Sequence, residues 1–276
     1  VTFKGSGELD NGWTFNLTIA DGDGGAYSAS TIDLTMGGMG TIEFDQGNSG
    51  NGIAAYDNVL PTAWEEAHGA GLSGGVKTVL GVGSSNNVQY TLPTVLGTTV
   101  ALTYAHEVGT TDTNDKVAGG AGGDTTGRGM DATIKMNPSL GTEILSGLNI
   151  YVGASTIDVY DNANANEDKY EGVGAITYAL GPIEIGQMWS ALYDGDETNE
   201  DYHTYKNHGF GIAFNVNDDL SVSYGEYNSM PAGWNKQDAQ DNSAGRVVTV
   251  TSWQASYTMG GASFRIADVK ADNAGF

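Results

Sequence analysis

The feature that most restricts this chain is a two-residue alternation of apolar and polar side chains that recurs almost from end to end. In the stretch "STIDLTMGGMGTIEFDQG", residues 30–47, Ile32, Leu34 and Met36 share one face, and Thr31, Asp33 and Thr35 share the other. After Gly37-Gly38-Met39-Gly40 the pattern resumes, with Ile42 and Phe44 opposed to Thr41, Glu43 and Asp45. Successive side chains of a strand point to opposite faces, so this stretch is expected to be a β-hairpin. The fold then depends on which face is turned inward.

The same period predicts about fourteen strands along the chain. They lie near residues 1–9, 13–20, 29–36, 40–46, 88–92, 98–107 and 127–136, then 147–158, 172–180, 183–192, 205–216, 220–228, 246–259 and 262–270. With 42 Gly, 5 Pro and many Thr, Tyr, Val and Ile, the composition suits strands joined by tight turns.

The connections alternate between short and long. Asp10-Asn11-Gly12, Gly37-Gly38-Met39, Gly181-Pro182, Asn217-Asp218-Asp219 and Gly260-Gly261 carry the chemistry of tight hairpin turns. Residues 93–97 and 137–146 are longer but fall in the same alternating place. Between them stand long acidic or glycine-rich loops, the longest of them residues 47–87. In an up-and-down sheet all short turns then gather at one end and all long loops at the other. A soluble sandwich has no reason to sort its loops by length, whereas transmembrane β-barrels do.

The width of such a barrel orients the faces. Side chains can fill a barrel of about eight strands, but about sixteen leave an aqueous channel. Phe15, Leu17 and Ile19, or Phe210, Ile212 and Phe214, are therefore expected to face lipid, and the Thr, Ser, Asn, Gly and charged row to face water inside.

Composition excludes several function classes. Eleven Lys and Arg against 34 Asp and Glu give a net charge of -23, which leaves no basic stripe for nucleic acid. No Cys is present, so disulfides, thiolate metal sites and cysteine nucleophiles are excluded. No run of about 18 apolar residues occurs, so a helical membrane span is excluded too.

The opening "GSGELDNGWTFNLTIADG", the hairpin at 30–47 and the large loop after it resemble a general diffusion porin of the Gram-negative outer membrane, of the alphaproteobacterial type. The resemblance implies an all-β antiparallel barrel of about sixteen strands, with short periplasmic turns, long external loops and assembly as a homotrimer. It also implies that residues 47–87 form a constriction loop folded into the lumen of a single domain spanning 1–276. By this count one strand precedes Val1 and one follows Phe276, so the chain is expected to be incomplete at both ends.

The alternation assigns lumenal charges: Lys4 with Glu8, Asp33, Glu43 with Asp45, Asp131 with Lys135, and later Glu184 and Arg265. In the loop, Asp57, Glu65 and Glu66 are the acidic candidates and Lys77 the base. The resemblance implies that loop acids face a basic wall, for which Lys4 and Arg265, brought together by closure, and secondarily Lys135, are the candidates. An acidic, narrow passage favours cations and small neutral or zwitterionic solutes, modestly and in a salt-dependent way. The expected function is passive diffusion of small hydrophilic solutes and ions across the outer membrane.

Other motifs give less. "DGDGG" at 21–25 lacks the later bidentate acid of a calcium loop, and "GGAGGDTTG" at 119–127 fits a calcium nonapeptide only once, unstacked. The acidic loops suit loosely held calcium or magnesium beside lipopolysaccharide, without a nameable site, and no cofactor is expected. His68, His106, His203 and His208 have no metal-ligand spacing, and phosphate-loop and dinucleotide signatures are missing. Trp13, Tyr90, Tyr104, Tyr178, Trp189, Trp253 and Tyr257 read as interfacial anchors. A sugar- or amino-acid-specific channel would need an aromatic row in the lumen, where only Tyr151 and Tyr227 fall. A surface adhesive β protein or an outer-membrane enzyme are the remaining alternatives.

Overall fold

The computed structural model describes residues 1–20, 29–46, 50–71, 75–83, 85–108, 126–138, 143–159, 168–193, 204–231 and 247–274. They form one 14-stranded antiparallel sheet in which every strand pairs with its neighbours in sequence. The strands are β1 (Thr2–Glu8), β2 (Thr14–Ala20), β3 (Ala29–Thr35), β4 (Thr41–Gln46), β5 (Asn87–Thr91), β6 (Thr98–Ala105) and β7 (Thr126–Met136). The second half adds β8 (Leu148–Val159), β9 (Lys169–Leu180), β10 (Ile183–Tyr193), β11 (Thr204–Asn215), β12 (Leu220–Pro231), β13 (Val248–Met259) and β14 (Ala262–Asp272). Among the described residues no helix is long and apolar enough to cross a membrane.

Each strand predicted from the alternation is present, with boundary differences that have local causes. Asn87, placed at the end of the long loop, opens β5, where it pairs with Asp45 and Ala105. β12 runs on to Pro231, a terminal position at which the missing N–H costs no interior ladder bond. The connection before β8 contains a short helix, Glu143–Ser146, which a period of two cannot reveal. The β3–β4 turn is a single 3-10 turn, Gly37–Met39, closed by Gly40 at φ 95. A Cβ on Gly40 would collide with the Thr91 carbonyl of the next hairpin, so glycine is required twice over.

Exposure settles which face is outward. Ile32 is 46% and Phe44 40% exposed, while Asp45, on the opposite face, is 1% exposed. Along the whole wall the buried polar residues lie on the predicted inner row: Thr103 on β6, Thr133 on β7, Ser155 on β8, Thr177 on β9 and Ser252 on β13. Outside, Trp189 packs on His208 and Tyr224 on Trp253, with ring centroids 5.6 and 4.7 Å apart. Toward the long-loop end the outer face turns polar, where Glu226 accepts from Asn228 at 2.7 Å and Thr249 donates to Asn228 at 2.6 Å. An apolar surface edged by aromatic rings and then by polar groups matches a bilayer and its interface.

The register gathers the inner polar residues into rows that run along the hydrogen-bond direction. One row passes from Ser6 on β1 through Asn16, Asp33, Glu43, Gln89, Thr103, Asp131 and Ser155 to Glu171 on β9. Asp33 and Glu43, known from the alternation only to share a face, are direct cross-strand partners.

Candidate functional site

The connection between β4 and β5 does not stand away from the sheet. It lies against the inner face, where Ile53, Tyr56, Leu60 and Val79 pack on Val173, Ala175, Met188 and Tyr227 of β9, β10 and β12. Full burial of an aliphatic side chain contributes about 1.5–3 kcal/mol, and Ile53, Val79 and Val82 are all within 1% of complete burial.

The wall makes room with glycines. Gly186, Gly209 and Gly211 line neighbouring strands, and added Cβ atoms there would stand 2.7 Å from Pro61 Cδ, 2.6 Å from Leu60 Cδ1 and 2.7 Å from the Pro61 carbonyl oxygen. Gly225 extends this receptacle toward Ala67. In the sequence Gly209 and Gly211 alternate with Phe210 and Ile212 like any inner residue. Their clustering appears only once register is known.

Polar wall side chains tie down the loop backbone. Gln89 accepts from the Gly52 N–H at 3.0 Å, and Ser223 accepts from the Ala63 N–H at 2.8 Å. Gln254 accepts from the Glu65 N–H at 3.2 Å and Ser229 from the Lys77 N–H at 3.3 Å. Asp131 Oδ2 accepts from Ile53 at 2.9 Å and Val82 at 3.2 Å, and Glu171 Oε2 from Leu80 at 2.7 Å and Gly81 at 2.9 Å. The alternation predicts Asp131 only as a lumenal charge and does not mark Glu171.

The predicted charges therefore fall into different settings. Asp45 does not face open water: it is buried on the inner face, opposite Asn87 and Thr31. Asp57 and Glu66 sit half-buried in the seam between loop and wall, and burial pushes Asp57 up to about 6. Burial and a hydrogen bond with Glu65 raise Glu66 to about 8, while the same hydrogen bond holds Glu65 below the usual carboxylate range. Near neutral pH the Glu65–Glu66 pair thus holds one proton and one negative charge. Burial also lowers His68, which packs against Tyr227 at 4.7 Å.

Glu65 is the loop acid drawn toward a base, since Arg265 contributes to its lowered pKa. The Arg265 guanidinium stands 5.9 Å from the centre of the Trp64 ring, and the Trp64 indole N–H donates to the Ile266 carbonyl at 3.2 Å. The loop tip is thereby fastened to β14 beside the predicted basic residue. Lys4, Glu8 and Asn16 remain exposed on the uncovered inner face of β1 and β2, with Asp33 and Glu43 partly exposed beside them. Lys135 stands 5.5 Å over the Tyr151 ring near the short-turn end. Tyr151 meets Tyr56 edge-on at 5.2 Å and Tyr227 is 1% exposed, so both serve loop packing and neither begins an aromatic row for sugars.

Among the described residues, no group of three His, Asp or Glu is placed to hold a metal ion. The stretch 21–25, most of 119–127 and most of the long acidic loops proposed for calcium or magnesium lie outside the described residues. A wall with an apolar exterior, a polar interior and an internal loop pinned to one side is a channel architecture. A family model described as Gram-negative porin matches residues 1–262. The chain belongs to the Gram-negative porin family.

Solved structures agree on the fold of this porin. A porin refined at 1.8 Å resolution is 17% identical with a TM-score of 0.63, over 99% of this chain and 87% of that one. The anion-selective porin of Comamonas acidovorans is 13% identical, TM-score 0.61, over 98% and 78%. Salmonella typhi OmpF, in a complex with daunomycin, is 11% identical, TM-score 0.64, over 99% and 83%. No curated protein matches in sequence. The family and the barrel fold are those of an outer-membrane diffusion channel rather than an enzyme.

Proposed function

We propose that this porin is a general diffusion channel for small hydrophilic solutes and ions, with a modest preference for cations, and that it works as a homotrimer. The observation that carries the selectivity is the charge left uncovered inside. Glu8, Asp33, Glu43 and Glu184 on the wall and Asp57 and Glu65 on the loop outnumber Lys4, Lys135 and Arg265 on the wall and Lys77 on the loop, in a chain of net charge -23. A narrow aqueous passage selects by the sign of charge lining it, and exposed charges act over about 8 Å in physiological salt, so the preference is weak and salt-dependent.

The connection 47–87 is the constriction, with acids on the loop side. Arg265 on β14 and Lys4 on β1 are its basic side, since these strands stand at the two ends of the sheet order and flank the seam where the barrel closes. The packing of Tyr151 and Tyr227 against the loop favours general diffusion over a sugar- or amino-acid-specific route. The solved neighbours include an anion-selective porin, so selectivity is argued from this chain's own charges.

Planar-bilayer recording across a potassium chloride gradient tests the reading. It predicts stepwise openings and a reversal potential displaced toward that of potassium. An anion-directed reversal potential refutes the selectivity, and absence of steps refutes the channel. Heat-labile migration as a trimer in detergent gels is expected, and a monomer under the mildest extraction contradicts the assembly.

A further inference from the structure

We infer that Asp131 is the positioning residue that holds the constriction loop across the lumen and so sets the effective size of the pore. The inference rests on the diffusion-channel reading. Asp131 stands on the inner face of β7 and is 3% exposed. Its Oδ2 accepts the Ile53 N–H from the start of the loop and the Val82 N–H from its end, at 2.9 and 3.2 Å. One carboxylate oxygen thereby joins the two arms of the loop to each other and to the wall.

Each donor follows a glycine shaped for this contact. Gly52 has φ 64 and Gly81 φ 54, and a Cβ at either would collide with the Asp131 carboxylate. The left-handed backbone and the missing side chain let both arms close on the same oxygen. Glu171, two strands further along the wall, adds a second anchor for the returning arm, accepting from Leu80 and Gly81 at 2.7 and 2.9 Å. Gly81 thus donates to one wall acid while making room for the other. Backbone N–H groups aimed at a carboxylate form charge-assisted bonds, stronger than those between neutral groups. Asp131 therefore acts on permeation through loop position rather than through its own charge in the passage.

The test compares single-channel conductance and liposome swelling with sugars of graded size for the full porin and its Asp131→Ala, Asp131→Asn and Gly81→Ala variants, each first checked for heat-modifiable barrel folding. Asp131→Ala and Gly81→Ala are expected to raise conductance roughly twofold or more, because a channel freed of its constriction conducts through a wider section, and to admit sugars that the parent excludes. Asp131→Asn keeps an acceptor oxygen and is expected to restore parental conductance and size limit, a rescue that a loss of wall stability alone does not give. Gly81→Ala attacks the same contact from the loop side and decides the matter if Asp131→Ala does not fold. A parent that conducts while folded Asp131→Ala or Gly81→Ala keeps its conductance and size limit overturns the inference. A parent that forms no channel overturns the reading beneath it and the inference together.

Discussion

Selectivity in this porin is expected to depend on pH, because two loop acids ionise within the accessible range. Asp57 is raised to about 6 and Glu66 to about 8, both chiefly by burial. Raising the pH from about 5 to about 9 therefore adds about two negative charges to the loop, the first as Asp57 ionises and the second as Glu66 does. For an ion about 8 Å away, one Debye length in physiological salt, a unit charge in water is worth roughly 0.5 kcal/mol before screening and roughly 0.2 kcal/mol after it. Attraction of the cation and repulsion of the anion add, so each charge changes the cation-to-anion permeability ratio roughly twofold, and both together roughly fourfold. Reversal potentials recorded in a fixed salt gradient at a series of pH values read this directly. Glu66→Gln, which keeps a donor toward Glu65, is expected to delete the upper step, and Asp57→Asn the lower one. A permeability ratio that is flat from about pH 5 to about pH 9, or that moves toward anions as the pH rises, refutes the reasoning.

Other expectations follow from packing and charge. Gly211→Val puts a branched side chain where a Cβ already stands 2.7 Å from the Pro61 carbonyl oxygen, so the loop is displaced and open-channel current noise increases while the barrel still folds. Arg265→Gln removes a passage cation and is expected to raise the cation-to-anion ratio roughly twofold, by the same screened Coulomb arithmetic. Ile176→Arg, on the outer face at 41% exposure, is expected to destabilise the folded state by about 2–4 kcal/mol in urea titrations with lipid vesicles. Asn16→Lys, exposed on the inner face, is expected to leave that transition in place and shift selectivity toward anions.

The strands were legible because alternation and turn chemistry are local: Ile183 through Tyr193 announces β10 without reference to any partner. The orientation of the faces was legible as well, since it follows from counting strands. The loop on the inner face was legible only as a long connection. Its receptacle is made of Gly186, Gly209 and Gly211 on two adjacent strands, and neither register nor the loop's path across them is written in any one stretch. The charges show the same limit. Alternation places Asp45 and Asp131 on the inner face alongside Asp33, but their burial is a long-range fact. Asp131 meets backbone at residues 53 and 82, while Asp33 remains partly open to the lumen.

The central claim is that the polar row faces a conducting aqueous lumen and the apolar row faces lipid. Asp33 and Ile32 are adjacent on β3 and point to opposite faces, and the chain has no cysteine to interfere. Single-channel current should be recorded from Asp33→Cys and Ile32→Cys before and after a positively charged, membrane-impermeant thiol reagent. The account predicts stepwise channels from both, with potassium current reduced by modification at position 33 and unchanged at position 32. A current that responds at position 32 and not at position 33, or no current from either folded protein, contradicts it.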